Sequence, residues 1–216
     1  MSMIKHKPIS LADQVFEHLE TDILSGKYQR GEILTESKLC AEMGVSRTPI
    51  REALRRLEQE HIIEESAKGS VVLGITEKDV DDIFVIRKQL EAMAAGMATE
   101  NCNAQELNKL KETLELQEFY LQKGDAEQIK EMDNSFHKII YDLSGSTIFY
   151  DILIPLHKKI QKYRKNSVKS SSRAEASVRE HRQIYEAMVT GDRIAAEKAV
   201  LSHVENAYNH IQRKDA

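Results

Sequence analysis

The sequence predicts a mainly α-helical chain, with an N-terminal winged helix-turn-helix domain followed by an all-helical antiparallel bundle of about six helices. Three observations predict it. Charged residues make up 31% of the 216 positions while aromatics are sparse, with no Trp, three Pro and nine Gly, whereas β-rich folds use more turn residues and aromatics. Apolar residues recur at helical spacing through most of the chain. The one stretch that leaves this period, "IIEESAKGSVVLG", carries β-branched residues on both sides of a Lys68-Gly69-Ser70 turn and reads as a short β-hairpin.

The elements follow in order. Leu11, Val15, Phe16, Leu19, Ile23 and Leu24 keep helical spacing, and Gly26 supplies a stop. A second, short helix fits "TESKLCAEMG", with Thr35 or Ser37 able to cap its start and Gly44 placed for a left-handed end. After the tight "GVS" link, "SRTPIREALRRLEQEH" forms a third helix whose apolar stripe is Ile50, Ala53, Leu54 and Leu57. Pro49 is tolerated there because it falls in the first turn. The hairpin closes a first domain, residues 1–75, and "ITEKD" opens the second, residues 76–216, with Thr76 and Asp79 three apart as a variant capping box.

Past residue 77 no strand pattern occurs. Lys123-Gly124-Asp125, Ser144-Gly145-Ser146 and Thr190-Gly191-Asp192 each join a helix-ending glycine to a good N-cap, "NCNAQ" separates the first two helices, and "KSSSRAE" separates a long fourth helix from the fifth. The resulting helices of roughly 20 residues suit a bundle.

The net charge of -4 gives no global attraction to nucleic acid or anionic membrane, so such binding must come from a local cluster. Cys40 and Cys102 stand alone, outside CxxC spacing, and read as small buried hydrophobes rather than a disulfide or a thiolate site. The N-terminal "MSMIKHKPIS" has no apolar signal core and no run is long enough to cross a bilayer. A cytoplasmic protein without membrane contact is expected.

The first domain is not basic as a whole, but its charge is arranged. Arg47, Arg51 and Arg55 recur every four residues beside the apolar stripe of the third helix, with Ser46 and Thr48 at its start. A recognition helix needs this layout: one face packed on the domain, the next offering guanidinium forks to guanine edges and phosphates, and free N–H groups at the start facing a phosphate. Lys68, at the hairpin tip, could reach an adjacent groove. Three arginines alone also fit an ordinary solvated face; their place between a short helix, a tight turn and a basic hairpin favours the winged motif. "GVSRTPIREALRRLE" resembles the DNA-binding signature of the GntR family of bacterial transcription regulators, with the likeness dense over residues 34–73. The resemblance implies operator contacts by Ser46, Arg47, Thr48, Arg51 and Gly69, and extends to Arg55 and Lys68. Where many relatives have Gly before the wing, this chain has His61.

In the second domain "MDNSFHKIIYDLSG" sets Asp133 one turn before His137, along the rim of a stripe made by Met132, Phe136, Ile139, Ile140 and Leu143. His181 falls within the apolar face of Val178, Ile184, Tyr185 and Met188, and His203 borders that of Val200, Val204, Ala207 and Ile211. Each histidine alone fits a core residue bonded to a carbonyl; together, neutral imidazoles and a carboxylate suit zinc, nickel, manganese or iron with positions left open. His6, His18, His61, His157 and His210 fit no such pattern and read as surface or incidental. "DNSFHKIIYDLSG", "VREHRQIYEAMVTGD" and "SHVENAY" resemble the metal-binding landmarks of the FCD effector domain of FadR-like GntR regulators. The resemblance implies one divalent metal ion per chain, with Asp133, His137, His181 and His203 as its ligands. Ser146 stands where many relatives have Asn.

Arg87 lies within the stripe of Val80, Ile83, Phe84, Leu90, Ala94 and Ala98, where a charge needs a partner. Either it pairs with Glu91, four residues on, or it grips the carboxylate of an effector in a bidentate contact; the FCD resemblance implies the second. The expected function is a homodimeric regulator, a repressor as is usual in the family, binding a palindromic operator on double-stranded DNA under control of a small organic acid. Two alternatives stand beside it: a helical metalloenzyme acting on a small carboxylate, and a regulator whose metal is purely structural.

Overall fold

The computed structural model describes residues 10–160, 163 and 171–212, and the chain divides into two compact units between Thr76 and Glu77. The first unit contains α1 (Leu11–Leu24), β1 (Ile33–Leu34), α2 (Glu36–Met43), α3 (Arg47–Gln59), β2 (Ile63–Ser66) and β3 (Gly69–Val72). A capping box between Ser10 and Asp13 starts α1. Thr35 Oγ1 accepts from Lys38 N at the start of α2, and Gly44 ends that helix at φ 66°. α1 packs on α3, so that Phe16, Leu19 and Ile23 meet Ile50, Ala53 and Leu57 in one apolar core. Leu19, Ile50, Ala53 and Leu57 are all wholly buried.

Two details of the wing differ from the sequence reading. The hairpin turn is Ala67-Lys68, and Gly69 already belongs to β3, opposite Ser66. A third strand, β1, pairs antiparallel with β3 through Ile33↔Val71 and Leu34↔Ser70, so the sheet order is β1-β3-β2. Two residues are too short to show an alternation, which is why periodicity misses β1. Gly69 has a physical reason to be glycine: its φ is 130°, and a Cβ there would stand 2.6 Å from the Leu34 carbonyl oxygen. His61, just before β2, is the one non-glycine residue with positive φ among those described, at 57°. His tolerates this left-handed conformation better than most residues.

The second unit consists of α4 (Glu77–Asn101), α5 (Ala104–Lys123), α6 (Ala126–Leu143), α7 (Thr147–Lys159), α8 (Ser171–Val189) and α9 (Arg193–Gln212). The six helices expected are the six described. α4 is central, packed on α9, α6, α7 and α8, while α5 packs on α6 and α8. Asn103 and Asp125 cap α5 and α6, Gly124 ends α5 at φ 69°, and Ser146, the departure from the family's asparagine, caps α7 by accepting from Phe149 N. The serine break is misplaced: Ser171 to Glu175 belong to α8, and Lys169 and Ser170 lie outside the described residues, as does His6. The fourth helix is the shortest of the six, 13 residues. Cys40 and Cys102 are free and half-buried. No helix among the described residues is long and apolar enough to cross a membrane.

Candidate nucleic-acid face and histidine centre

The outward face of α3 carries the arginine ridge. Ser46, Arg47, Thr48, Arg51 and Arg55 are exposed, as is Lys68 at the hairpin turn. Ser46 caps α3 by backbone position while its side chain makes no cap hydrogen bond, so the first-turn N–H groups point outward, where the partial positive charge of a helix start favours an anion. Arg51 Nε donates to Glu36 Oε1 at 2.6 Å, an exposed pair of little worth in water and open to exchange for a phosphate or base edge. Arg56 turns the other way: its guanidinium stacks 3.9 Å from the Phe16 ring centroid and binds Asp13 at 2.6 Å. It joins α3 to α1 and is not part of the ridge. A cavity of about 390 Å³ separates α3 from the wing and is lined by Arg51, Arg55, Gly69 and Ser70.

In the bundle, three histidines from three helices converge. His137 on α6, His181 on α8 and His203 on α9 each bring a ring nitrogen within 4.8 Å of the others, with ring centroids 4.7 to 5.2 Å apart. All three are buried, His181 completely. Asp133 is buried too, with Oδ1 3.6 Å from His181 Nε2. The sequence reading put Asp133 and His137 on the rim of α6; the structure makes them the middle of its buried face, while Met132 and Ile139 are only half-buried.

What surrounds the rings determines their chemistry. His181 Nδ1 donates to Gln117 Oε1 at 2.8 Å, His203 Nδ1 donates to Glu180 Oε2 at 2.7 Å, and His137 Nδ1 faces Glu91 Oε2 at 3.5 Å. An acceptor on Nδ1 fixes the proton there and leaves the Nε2 lone pair for the centre, the arrangement found around metal-ligating histidines. His137 Nε2 is buried without a hydrogen-bond partner, a costly state that a cation would relieve. Burial pushes the His203 imidazole down to about 4, so it is neutral and competent to ligate near pH 7. Burial opposes ionisation of Glu180, but hydrogen bonds from His203 and Arg173 prevail and hold it at about 2.

Arg87 and Glu91 are paired within α4, both almost fully buried. Burial works against both charges, yet their mutual attraction raises the arginine and holds Glu91 well below the usual carboxylate range. The pairing does not exhaust the guanidinium, because Arg87 Nη1 has no hydrogen-bond partner. It lines a cavity of about 40 Å³ together with Asp133, Gln117, Arg173 and His203.

Sequence reasoning missed several of these groups. His157, taken for a surface residue, is 6% exposed, its ring centroid 4.9 Å from that of His137. Its nitrogens approach the Tyr141 hydroxyl at 3.4 Å and Asn134 Oδ1 at 3.2 Å, so it supports the centre instead of facing it. The register Leu153, His157, Ile160 on one buried face was the available signal. His210 is half-buried, whereas His18 and His61 are exposed as expected. Gln117 also had a signal, a polar residue in the Leu110, Leu114 stripe of α5. Glu180 and Arg173, joined in a two-pronged ion pair at 2.8 and 2.9 Å, had none.

A winged helix-turn-helix followed by a helical bundle is the architecture of a DNA-binding regulator. The comparisons agree. Residues 11–72 match the model of the bacterial regulatory proteins of the gntR family, and residues 82–206 match the FCD domain. An HTH-type transcriptional regulator of Bacillus subtilis, YdhC, is 31% identical over 95% of this chain and 93% of its own length. The gluconate operon transcriptional repressor of Bacillus licheniformis is 38% identical over 56% of this chain and half of its own. Among solved structures, Escherichia coli McbR/YncC superposes with a TM-score of 0.82 over 97% of this chain and all of the other, at 24% identity. The chain belongs to the GntR family and carries an FCD domain; it is a DNA-binding transcription regulator, and the metalloenzyme alternative falls with that assignment.

Proposed function

We propose that this regulator is a homodimeric cytoplasmic repressor. It binds a palindromic double-stranded operator through Ser46, Arg47, Thr48, Arg51 and Arg55 of α3, with Lys68 and Gly69 at the wing. One divalent metal ion per chain, zinc foremost with nickel, manganese or iron as alternatives, is held by Asp133, His137, His181 and His203. That ion and Arg87 together hold a small organic acid, whose binding changes operator affinity. The single observation that carries the reading is the ring arrangement: three buried histidines on three helices, each Nδ1 set against an acceptor and one nitrogen of each ring within 4.8 Å of the others. The unpartnered Arg87 Nη1 beside Asp133 and His203 supports the acid. A two-fold dimer finds support in exposed apolar side chains on α4 (Val85, Ile86, Met93) and on α7 (Ile148, Ile152), two helices that pack on each other.

Elemental analysis of the purified chain should find about one equivalent of metal, lost in His181→Ala; equal metal in both proteins would refute the centre. Arg51→Ala should weaken binding to the chain's own upstream DNA about tenfold to a hundredfold, since a forked base contact carries roughly 1–3 kcal/mol. A purely structural ion is the second reading, favoured by the small size of the cavity. It predicts that acid binding persists after Arg87→Ala, whereas removing the metal unfolds the bundle.

A further inference from the structure

The buried charges around the centre select the kind of acid it accepts. We propose, resting on the metal-and-acid reading above, that the ligand is a short monocarboxylic acid, and that the Arg173–Glu180 pair excludes dicarboxylic acids. Two arginines and one carboxylate line the cavity among the described residues: Arg87, Arg173 and Asp133. Arg87 is paired with Glu91 and Arg173 with Glu180, each within hydrogen-bond distance. A carboxylate entering the cavity thus meets one arginine, Arg87, that still has a donor to give. A second carboxylate would be buried without a counter-charge, the costly case.

The unused donors agree with one carboxylate. Arg87 Nη1 and Gln117 Nε2 are both buried without partners and both line the cavity; they would meet one carboxylate and an oxygen on the adjacent carbon. Arg173, the other arginine at the wall, has its fork occupied by both oxygens of Glu180. The cavity of about 40 Å³ has space for roughly three or four water-sized groups, and its remaining wall is apolar, from Phe84, Ile129 and Ile211. Glu180 thus acts as a built-in occupant of the place that a second carboxylate would need.

Calorimetric titration of the zinc-loaded full chain with acetate, glycolate, lactate and pyruvate, against malonate and succinate, tests this. At least one monocarboxylate is expected to bind ten times more tightly than either dicarboxylate. In Glu180→Gln, which keeps an acceptor for His203 and frees the Arg173 fork, the ratio should shift by tenfold or more toward the dicarboxylates. Arg173→Met combined with Glu180→Gln should restore the original preference. A dicarboxylate that binds the unaltered chain as tightly as the best monocarboxylate overturns the proposal while leaving the metal-and-acid reading intact, a comparison that needs no variant to fold. An unmoved ratio in a folded Glu180→Gln also overturns it. If neither class binds the zinc-loaded chain, both fail together.

Discussion

His61 is the residue whose backbone contradicts its side chain. At φ 57° it occupies a region that costs an L-residue roughly 1 kcal/mol and glycine almost nothing. His61→Gly should therefore raise the stability of the winged unit by about 0.5–1 kcal/mol, read as a higher urea midpoint; an unchanged midpoint would mean that the exposed imidazole makes up the difference. Gly69 has the opposite constraint, since Gly69→Ala pushes a methyl group onto the Leu34 carbonyl, and should loosen the β1–β3 pairing and weaken operator binding. At the centre, titration gives a direction. His203 is lowered to about 4 from an ordinary 6.5, so between those values the unfolded chain binds more protons and stability falls as the pH drops from 6.5 toward 4, by about 3 kcal/mol for this one group. Glu180, lowered to about 2, adds a further loss from about 4.5 downward. Denaturant titrations of the metal-free chain at pH 7, 5.5 and 4.5 should show this slope, and His203→Gln should flatten it above pH 4.5.

At the scale of elements, legibility followed chain distance. Helix caps, the arginine ridge of α3 and the Asp133–His137 pair depend on residues within a few positions of one another, and spacing displays such relations. The supporting shell does not: Gln117 meets His181 across 64 positions and Glu180 meets His203 across 23, contacts that exist only once helices pack. β1 escaped for a related reason, because a two-residue strand is defined by its partner β3 and not by its own pattern. Arg87 makes the Glu91 pair that spacing allowed and still has a nitrogen left over, an outcome that spacing could not foresee because a guanidinium has five donors to place. His157 was misjudged because its flanking lysines, Lys158 and Lys159, mark the solvent side of a helix whose opposite face it occupies.

For the whole molecule, the proposed dimer can be tested directly. Val85→Glu with Ile148→Glu puts charges on the exposed apolar face and should yield a monomer in sedimentation, with operator affinity lowered because two half-sites are no longer read together. The proposed metal would have a wider reach than its four candidate ligands suggest. The histidines and Asp133 come from α6, α8 and α9, and the acceptors behind them from α4, α5 and α8. Five of the six helices thus share one centre. Viewed as fluctuations, no single helix among those five can open without disturbing a ligand or the group that orients it, so filling the centre should suppress their local unfolding together. Amide exchange would then slow across α4, α5, α6, α8 and α9 on adding zinc, with α7, which reaches the centre only through His157, the least affected, and the signal would be a change in how long the bundle stays closed as much as a change in its shape.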